Sequence, residues 1–198
     1  MINSFLQQFG STLKQYYPVS DTTTKIVFAQ CSIKTFLKNE TIARESRADP
    51  FEHFLLSGIL HSYSVSADLE EDNTGIFLPQ TVITPHIVRT LEGRSIQYLG
   101  CLLDAVIVTI PFKVFNSLMQ EYGDLRAFGY KVVETELSLK TKREVSLLTL
   151  TAKERLMKFR KEYDNLENII PHSIISGFLG ITPVSFGRLR NELASSRG

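Results

Sequence analysis

His172, Ser173, Thr182, Ser185, Arg188 and Arg190 lie within a stretch of about two dozen residues near the end of the sequence, Pro171 to Leu193, PHSIISGFLGITPVSFGRLRNEL. Hydroxyls, an imidazole and two guanidiniums in such a group are donors for phosphate oxygens and for the edges of bases. Two helices are needed to hold them. The first ends at Phe178 or Leu179 and meets Gly180, which takes the positive φ of a tight turn at little steric cost. Ile181 closes the turn. Thr182 follows as an N-cap, and Pro183 stands where a helix loses nothing by lacking an N–H. Ile175, Leu179, Ile181, Phe186 and Leu189 fall where two crossed helices bury side chains, with small Ser176 at their closest approach. Thr182, Ser185, Gly187, Arg188, Arg190 and Asn191 remain on the outer face of the second helix. This is the spacing of a helix-turn-helix, with Pro183 to Leu193 as the helix that enters a major groove and His172 and Ser173 as phosphate anchors from the first helix. Two other readings share part of the pattern. One is an ordinary helical hairpin, and the other is a ligand-binding or protein-interaction module whose helix-turn-helix contacts a protein.

Other chemistry finds little support. The four histidines, His53, His61, His86 and His172, include no His-x-His pair, so no metal site is expected. His53 and His61 flank Gly58 and could face each other across a hairpin as ordinary core or surface residues. Cys31 and Cys101 are far apart without a C-x-x-C spacing and read as buried thiols, neither a disulfide nor an iron–sulfur ligand set. The sequence contains no phosphate-binding loop, nucleophile elbow or H-E-x-x-H. It is therefore expected not to be an enzyme and to carry no cofactor.

The elements around this group follow from periodicity. Residues Phe5 to Tyr17 have helical spacing up to Pro18, and Asp21 is expected to cap a second helix through about Ala29. Short segments rich in β-branched and aromatic residues come next: Ile33 to Leu37, Phe51 to Leu56, Ile59 to Val65, Ile76 to Leu78, Ile96 to Leu99 and Ala105 to Ile110. They predict an antiparallel β-roll or sandwich. Phe112 to Tyr122 reads as a short helix, and Asp124 to about Thr149 as a long one. Leu125, Phe128, Val132, Thr135 and Leu139 recur on the long helix at spacings of three and four. This stripe packs either on its own β domain or against its twin across a two-fold axis, and the dimer is the expectation. Thr151-Ala152-Lys153-Glu154 is a capping box that opens a further helix bearing Leu156, Phe159 and Tyr163, and residues 164–170 link it to the helix-turn-helix. The fold class is thus α+β, with segments 1–122 (β-roll), 123–149 (dimerisation helix) and 150–198 (helix-turn-helix).

Composition agrees with an ordinary globular protein: 198 residues, 43% hydrophobic, 22% charged and a net charge of +1. Residues 1–150 carry 14 Lys and Arg against 16 Asp and Glu, a balance of −2, whereas 151–198 carry 8 against 5, or +3. The basic excess lies with the helix-turn-helix. The longest apolar runs, such as Leu99 to Pro111, are too short to span a bilayer. The N-terminus lacks the pattern of a secretory leader, so a cytoplasmic location is expected.

The order of β-roll, long helix and helix-turn-helix resembles the Crp/Fnr family of bacterial transcription regulators over nearly all of the chain. Phe54 to Tyr63 looks like the family's strand-glycine-strand signature in the cyclic-nucleotide-binding-type roll. Gly93-Arg94-Ser95 and Ala105 to Phe112 resemble its arginine-serine pair and the strand that follows, and Phe186-Gly187-Arg188 its apolar-glycine-arginine run in the recognition helix. Ala152 to Leu156 together with Leu179 to Pro183 look most like the Bacteroidetes-type subset. The resemblance implies double-stranded DNA, a second copy of the chain and RNA polymerase as partners, a small-molecule effector in the roll, and Arg94 and Ser95 as its contacts. The departures are informative. Where cyclic-AMP binders have glycine-glutamate, this chain has Pro79-Gln80, which lacks both the carboxylate and an amide donor, so cyclic nucleotide binding is not expected and the effector roll is degenerate. Val184 replaces the glutamate that often follows the position of Pro183, so the operator should differ. No β-hairpin wing is expected after Leu193, nor the phosphate contacts that it makes. A homodimer built this way would read an inverted repeat with half-sites about 34 Å apart.

Overall fold

A computed structural model of the chain describes residues 2–66 and 71–195. Helices α1 (Ile2–Tyr16) and α2 (Asp21–Ala29) precede a strand-rich stretch with β1 (Ser32–Phe36), β2 (Thr41–Ala43), β3 (Phe51–Ser57), β4 (Leu60–Val65), β5 (Glu71–Phe77) and β6 (Thr81–Val82). After the single turn of α3 (His86–Arg89) come β7 (Thr90–Leu91), β8 (Arg94–Ser95), β9 (Tyr98–Cys101) and β10 (Ala105–Pro111). The remainder is helical: α4 (Phe112–Glu121), α5 (Gly123–Thr149), α6 (Ala152–Glu162), a 3-10 turn at Leu166–Asn168, α7 (His172–Leu179) and α8 (Pro183–Ser195). The strands form two four-stranded sheets, β1-β10-β3-β6 and β2-β9-β4-β5, and a small ribbon, β7-β8. The fold class is α+β with a strand-rich N-terminal part, as the sequence implied.

The chain divides into two compact units, Met1–Ser62 with Ile76–Ser138, and Tyr63–Gly75 with Leu139–Gly198. Helix α5, expected as a segment of its own, is shared between them, and the described tip of the β4–β5 hairpin belongs with the C-terminal helices.

Two strands explain the first unit. On β3, Phe54 and Leu56 face the helices while Leu55 faces the interior of the roll; on β10, Val108 and Ile110 face the helices and Ala105 and Ile107 the interior. Successive side chains of a strand point to opposite faces, and here both faces are covered, so the strands read as continuous apolar runs. Antiparallel pairing aligns Val108 with Phe54 and Ile107 with Leu55, after a bulge between Val106 and Ile107. Gly58 turns β3 into β4 with φ +96°, and a Cβ there would lie 2.5 Å from the Asp104 carbonyl oxygen.

The stripe on α5 corrects one expectation. Leu125, Phe128 and Val132 are buried in the unit's own core with Phe9, Leu13, Phe54 and Phe115, so these residues are not available to a second copy. Thr135 is half-buried and Leu139 exposed. The start of α5 is anchored by Asp124, whose carboxylate accepts the Ser20 N–H at 2.9 Å and the Thr23 hydroxyl at 3.1 Å. The N-cap of α2 is Ser20, whose hydroxyl accepts the Thr23 N–H at 3.1 Å; Asp21 begins the helix and pairs with Lys14. Helix α1 starts at Ile2 because an exposed first turn leaves no apolar mark. Strand β5 is longer than Ile76 to Leu78 because Glu71 to Thr74 pair without an apolar pattern, and β9 is displaced toward Cys101 because Ile96 is exposed. Both cysteines are free thiols, pushed up by burial to about 12 for Cys31 and about 11 for Cys101.

A buried charged cluster fixes α3. Arg89 donates to the Asp49 carboxylate and to the Phe51 carbonyl, and the His53 ring is bonded to Asp49 at 3.1 Å, so His53 meets a carboxylate. Burial alone would raise the Asp49 carboxyl, but the His53 hydrogen bond and the charges of His53 and Arg89 outweigh it and hold it low. Glu52 accepts the His86 N–H with both oxygens, at 3.1 and 3.0 Å.

Burial raises the Glu52 carboxyl from 4.5 to about 7, only partly offset by the His86 N–H and the Arg89 charge. The folded state therefore holds this proton where the unfolded state has lost it. Glu52's contribution to stability falls as the pH rises from 4.5 to about 7 and is flat above. Urea unfolding of the wild type and of Glu52→Gln at about pH 5 and about pH 7.5 checks this, with the wild type expected to lose about 1–3 kcal/mol relative to the variant across that range. A gap that does not change with pH would place Glu52 in the ordinary carboxylate range.

Candidate nucleic-acid interface

The C-terminal unit is built around helix ends. Thr151 and Glu154 cap α6 reciprocally: the Thr151 N–H donates to the Glu154 carboxylate at 2.8 Å and the Glu154 N–H to the Thr151 hydroxyl at 3.3 Å. Those bonds hold the Glu154 carboxyl below its ordinary range. The Arg155 guanidinium then donates to the carbonyls of Leu150 at 2.7 Å, Leu147 at 3.4 Å and Leu179 at 2.8 Å. It thus satisfies carbonyls left open at the ends of α5 and α7. Arg143 donates to the Phe178 carbonyl at 3.1 Å and to the Asn73 carbonyl on β5 at 3.0 Å, and lies over the Phe178 ring. Phe159, Tyr163 and Phe178 pack as an aromatic group beneath α7.

The turn is as its spacing implied. Gly180 is left-handed at φ 64°, ψ 41°, and the N–H groups of Gly180 and Ile181 close on the carbonyls of Gly177 and Ser176, each at 3.0 Å. Ile175, Ser176, Leu179 and Phe186 are buried, whereas Ile181 and Leu189 are half-buried. The Thr182 hydroxyl accepts the Ser185 N–H at 3.2 Å and caps α8.

The six sequence-derived site residues divide into two groups. Ser173, Thr182 and Arg188 are exposed, Ser185 is half-buried, and the Thr182 and Ser185 hydroxyls meet at 3.0 Å. Arg188 has no hydrogen bond or ion pair to another described residue. Arg190 is engaged: its Nε donates to Glu167 at 2.6 Å, its Nη1 lies 3.4 Å from the His172 ring, and it sits over Phe186. Arg160 grips the other side of Glu167 at 2.6 and 2.9 Å. The Arg160 hydrogen bonds first, then those of Arg190, keep this carboxyl low although burial opposes them. The group Arg160, Glu167 and Arg190 went unread in the sequence, because Glu167 lies in the segment taken as a linker and no short-range spacing joins it to residue 190.

In the first unit, Arg94 is exposed and donates to the Ser46 carbonyl at 2.9 Å, while the Ser95 hydroxyl donates to the Gln97 carbonyl at 2.6 Å. The amides of Ser95 and Ile96 are bonded to the carbonyls of Arg47 and Arg89. The Ser95 hydroxyl and the two amides are thus engaged within the chain, and Arg94 keeps further donors in solvent. Among the described residues, no group of three or more His, Cys, Asp or Glu is placed to hold a metal ion, and no helix is long and apolar enough to cross a membrane.

No protein-family model matches the chain, and no curated protein sequence matches it. Solved structures do. FixK2 from Bradyrhizobium japonicum superposes with a TM-score of 0.74 at 17% identity, over 84% of this chain and 85% of that one. The global regulator CLP of Xanthomonas campestris, described as responsive to c-di-GMP, gives 0.70 at 13% identity over 89% and 93%. The Thermus thermophilus catabolite activator protein gives 0.58 at 12% identity over 94% and 88%. At these identities the likeness establishes the fold, which is that of Crp/Fnr regulators.

The paired ion bridges at Glu167 make a stability prediction. Glu167→Ala leaves two half-buried guanidiniums without their carboxylate and should destabilise the chain by about 1–3 kcal/mol in denaturant unfolding. A loss below about 0.5 kcal/mol would reduce the group to a surface pairing.

Proposed function

From the Crp/Fnr-type fold of this chain, we propose that it is a sequence-specific DNA-binding transcription regulator, acting in the cytoplasm as a homodimer that reads an inverted repeat. The observation that carries this reading is the outer face of α8, where Thr182, Ser185 and Arg188 lie together and Arg188 is left without a partner among the described residues. Arg188 is assigned to a base edge or phosphate, with Thr182, Ser185 and Ser173 as supporting contacts. Arg190 and His172 act behind them: their mutual contact and the Glu167 pair orient α8 on α7.

The dimer seam is reassigned to the side of α5 that faces away from its own core. Tyr130 and Leu137, seven residues apart along α5, are 74% and 67% exposed. Val145 and Leu148 are exposed further along the helix. A long helix with such an unsatisfied stripe needs a partner, and a second α5 supplies an identical one. The roll is read as degenerate toward nucleotide phosphates, because the Ser95 hydroxyl and the amides of Ser95 and Ile96 are already engaged.

A second reading has its own observation. Lys153, Lys158, Arg160 and Arg190 are each paired with a glutamate, so little positive charge is left for phosphates and α8 could instead dock on a protein. Salt dependence separates the two, since counterion release gives a steep slope only when phosphates are contacted.

Selection of bound sequences from a random DNA pool by the purified protein, without added effector, is the direct test. Enrichment of an inverted repeat is expected, and failure to enrich any sequence, with no salt-dependent DNA binding, favours the protein-docking reading. On the selected operator, Arg188→Ala should cost about 1–3 kcal/mol of affinity; undiminished binding at several salt concentrations removes that assignment. Leu137→Asp should give a monomer in sedimentation, whereas an unchanged dimer would place the seam elsewhere.

A further inference from the structure

The first unit contains a cavity of about 370 Å³ between β3, the start of α3, α4 and α5. At the roughly 30 Å³ that each water occupies in the liquid, it has room for about a dozen non-hydrogen atoms. The rings of Phe54, Phe112, Phe115 and Phe128 and the Met119 thioether combine with aliphatic side chains and with the neutral polar groups of Asn116 and Gln120 to form its walls. Glu52 is the one carboxylate on them and is 5% exposed. Both its oxygens accept the His86 N–H, and a carboxylate with about four lone-pair sites keeps acceptor capacity beyond that shared donor. The cationic side chain on the wall, Arg126, is exposed and tied by Nε and Nη2 to the carbonyls of Met119 and Gln120 at 3.2 and 3.3 Å. It is held at the end of α4, away from a role as Glu52's counter-ion.

We propose that this cavity binds a small organic amine, its aromatic or aliphatic body between α4 and α5 and its ammonium donating to Glu52. Ring faces attract cations and stack on aromatic bodies, and a thioether adapts to either shape. A buried carboxylate gives the site its sign, because an anion there would meet a like charge and a neutral hydrocarbon would leave the acceptor unanswered. The raised Glu52 carboxyl fits the same chemistry: an ammonium beside it favours the charged carboxylate, and the proton held in its absence passes to water. Asp49, Arg89 and His86 are the charged and titratable groups that act on Glu52, and none of them lines the cavity. The site is separate from Arg94 and Ser95 and from α8, and its occupancy does not depend on whether the chain reads DNA.

The test uses the full chain, with 2-phenylethylamine and its neutral analogue 2-phenylethanol as probes, followed by calorimetry and by saturation-transfer NMR. Saturable one-to-one binding is expected, with the amine roughly tenfold or more tighter than the alcohol, the margin of a charge-assisted hydrogen bond. Glu52→Gln should erase the preference while leaving alcohol binding. Val133→Trp, which fills the space from the α5 wall, should abolish both. Equal affinity for the two probes, no saturable binding of either, or binding that survives Val133→Trp overturns the proposal. Circular dichroism shows whether each variant is folded, and the wild-type preference decides the matter even where Glu52→Gln does not fold.

Discussion

The guanidinium of Arg155 is the joint on which the geometry of the C-terminal unit depends. Helix ends leave carbonyls without partners, and a unit made of short helices has many ends for its size. One side chain on α6 reaches the last turn of α5 through Leu147 and Leu150 and the last turn of α7 through Leu179. The direction of α7 fixes Gly180, and Gly180 fixes where α8 begins. A Cβ at Gly180 would stand 3.0 Å from the Leu147 side chain, so the turn is restricted both by its left-handed backbone and by the helix it rests on. The three neighbours meet at one cation because five fixed donors in a plane can serve several carbonyls, which a lysine's flexible point charge cannot reproduce.

The roll uses its polar groups in the opposite way. A pocket for a phosphate needs amides and cations that are free until the ligand arrives. Here Arg89 is consumed by Asp49, Glu52 takes the His86 amide at the start of α3, and the amides after Arg94 are bonded to neighbouring loops. Buried charges are costly unless paired, and each pairing removes a donor that a nucleotide would need. These pairings support the proposal that the roll is degenerate toward nucleotide phosphates. The amine site proposed above lies on the other side of β3, where Glu52 stands among aromatic and aliphatic side chains.

The legible parts of the sequence were those in which a short-range rule decides the outcome. The Gly180 turn, the Thr182 cap, the Thr151–Glu154 box and the strands Phe51–Ser57 and Ala105–Pro111 follow from neighbours a few residues apart, and all appear where spacing put them. What could not be read rests on contacts distant along the chain. Periodicity found the stripe Leu125, Phe128 and Val132 but could not say whether Phe9 and Phe54 or a second copy would cover it; the aromatic core of the unit did. Arg188 and Arg190 are indistinguishable as sequence, two positions apart on one helix. Glu167, 23 residues from Arg190, separates a free guanidinium from an engaged one. Short elements such as β2, β6, β7, β8 and α3 are two to four residues long and held by their surroundings, so their own residues carry almost no signal.

The distribution of cations has a consequence for how such a unit could hold DNA. Within residues 151–195, Lys153, Lys158, Arg160 and Arg190 are paired with glutamates and Arg155 with carbonyls, which leaves Lys161 and Arg188 without a partner among the described residues. A region with so few free cations would release few counterions and have weak non-specific affinity. On the proposed function, specific binding would then come from joining two copies, so that the second half-site is met at the effective concentration set by a rigid link, and not at the concentration in solution. A long α-helix is such a link, and its register fixes the spacing that the two α8 helices can span. On that proposal the outward stripe of α5 and the guanidinium of Arg188 on α8 serve one requirement: the fewer phosphates each copy can neutralise, the more a reading of DNA would depend on a dimer.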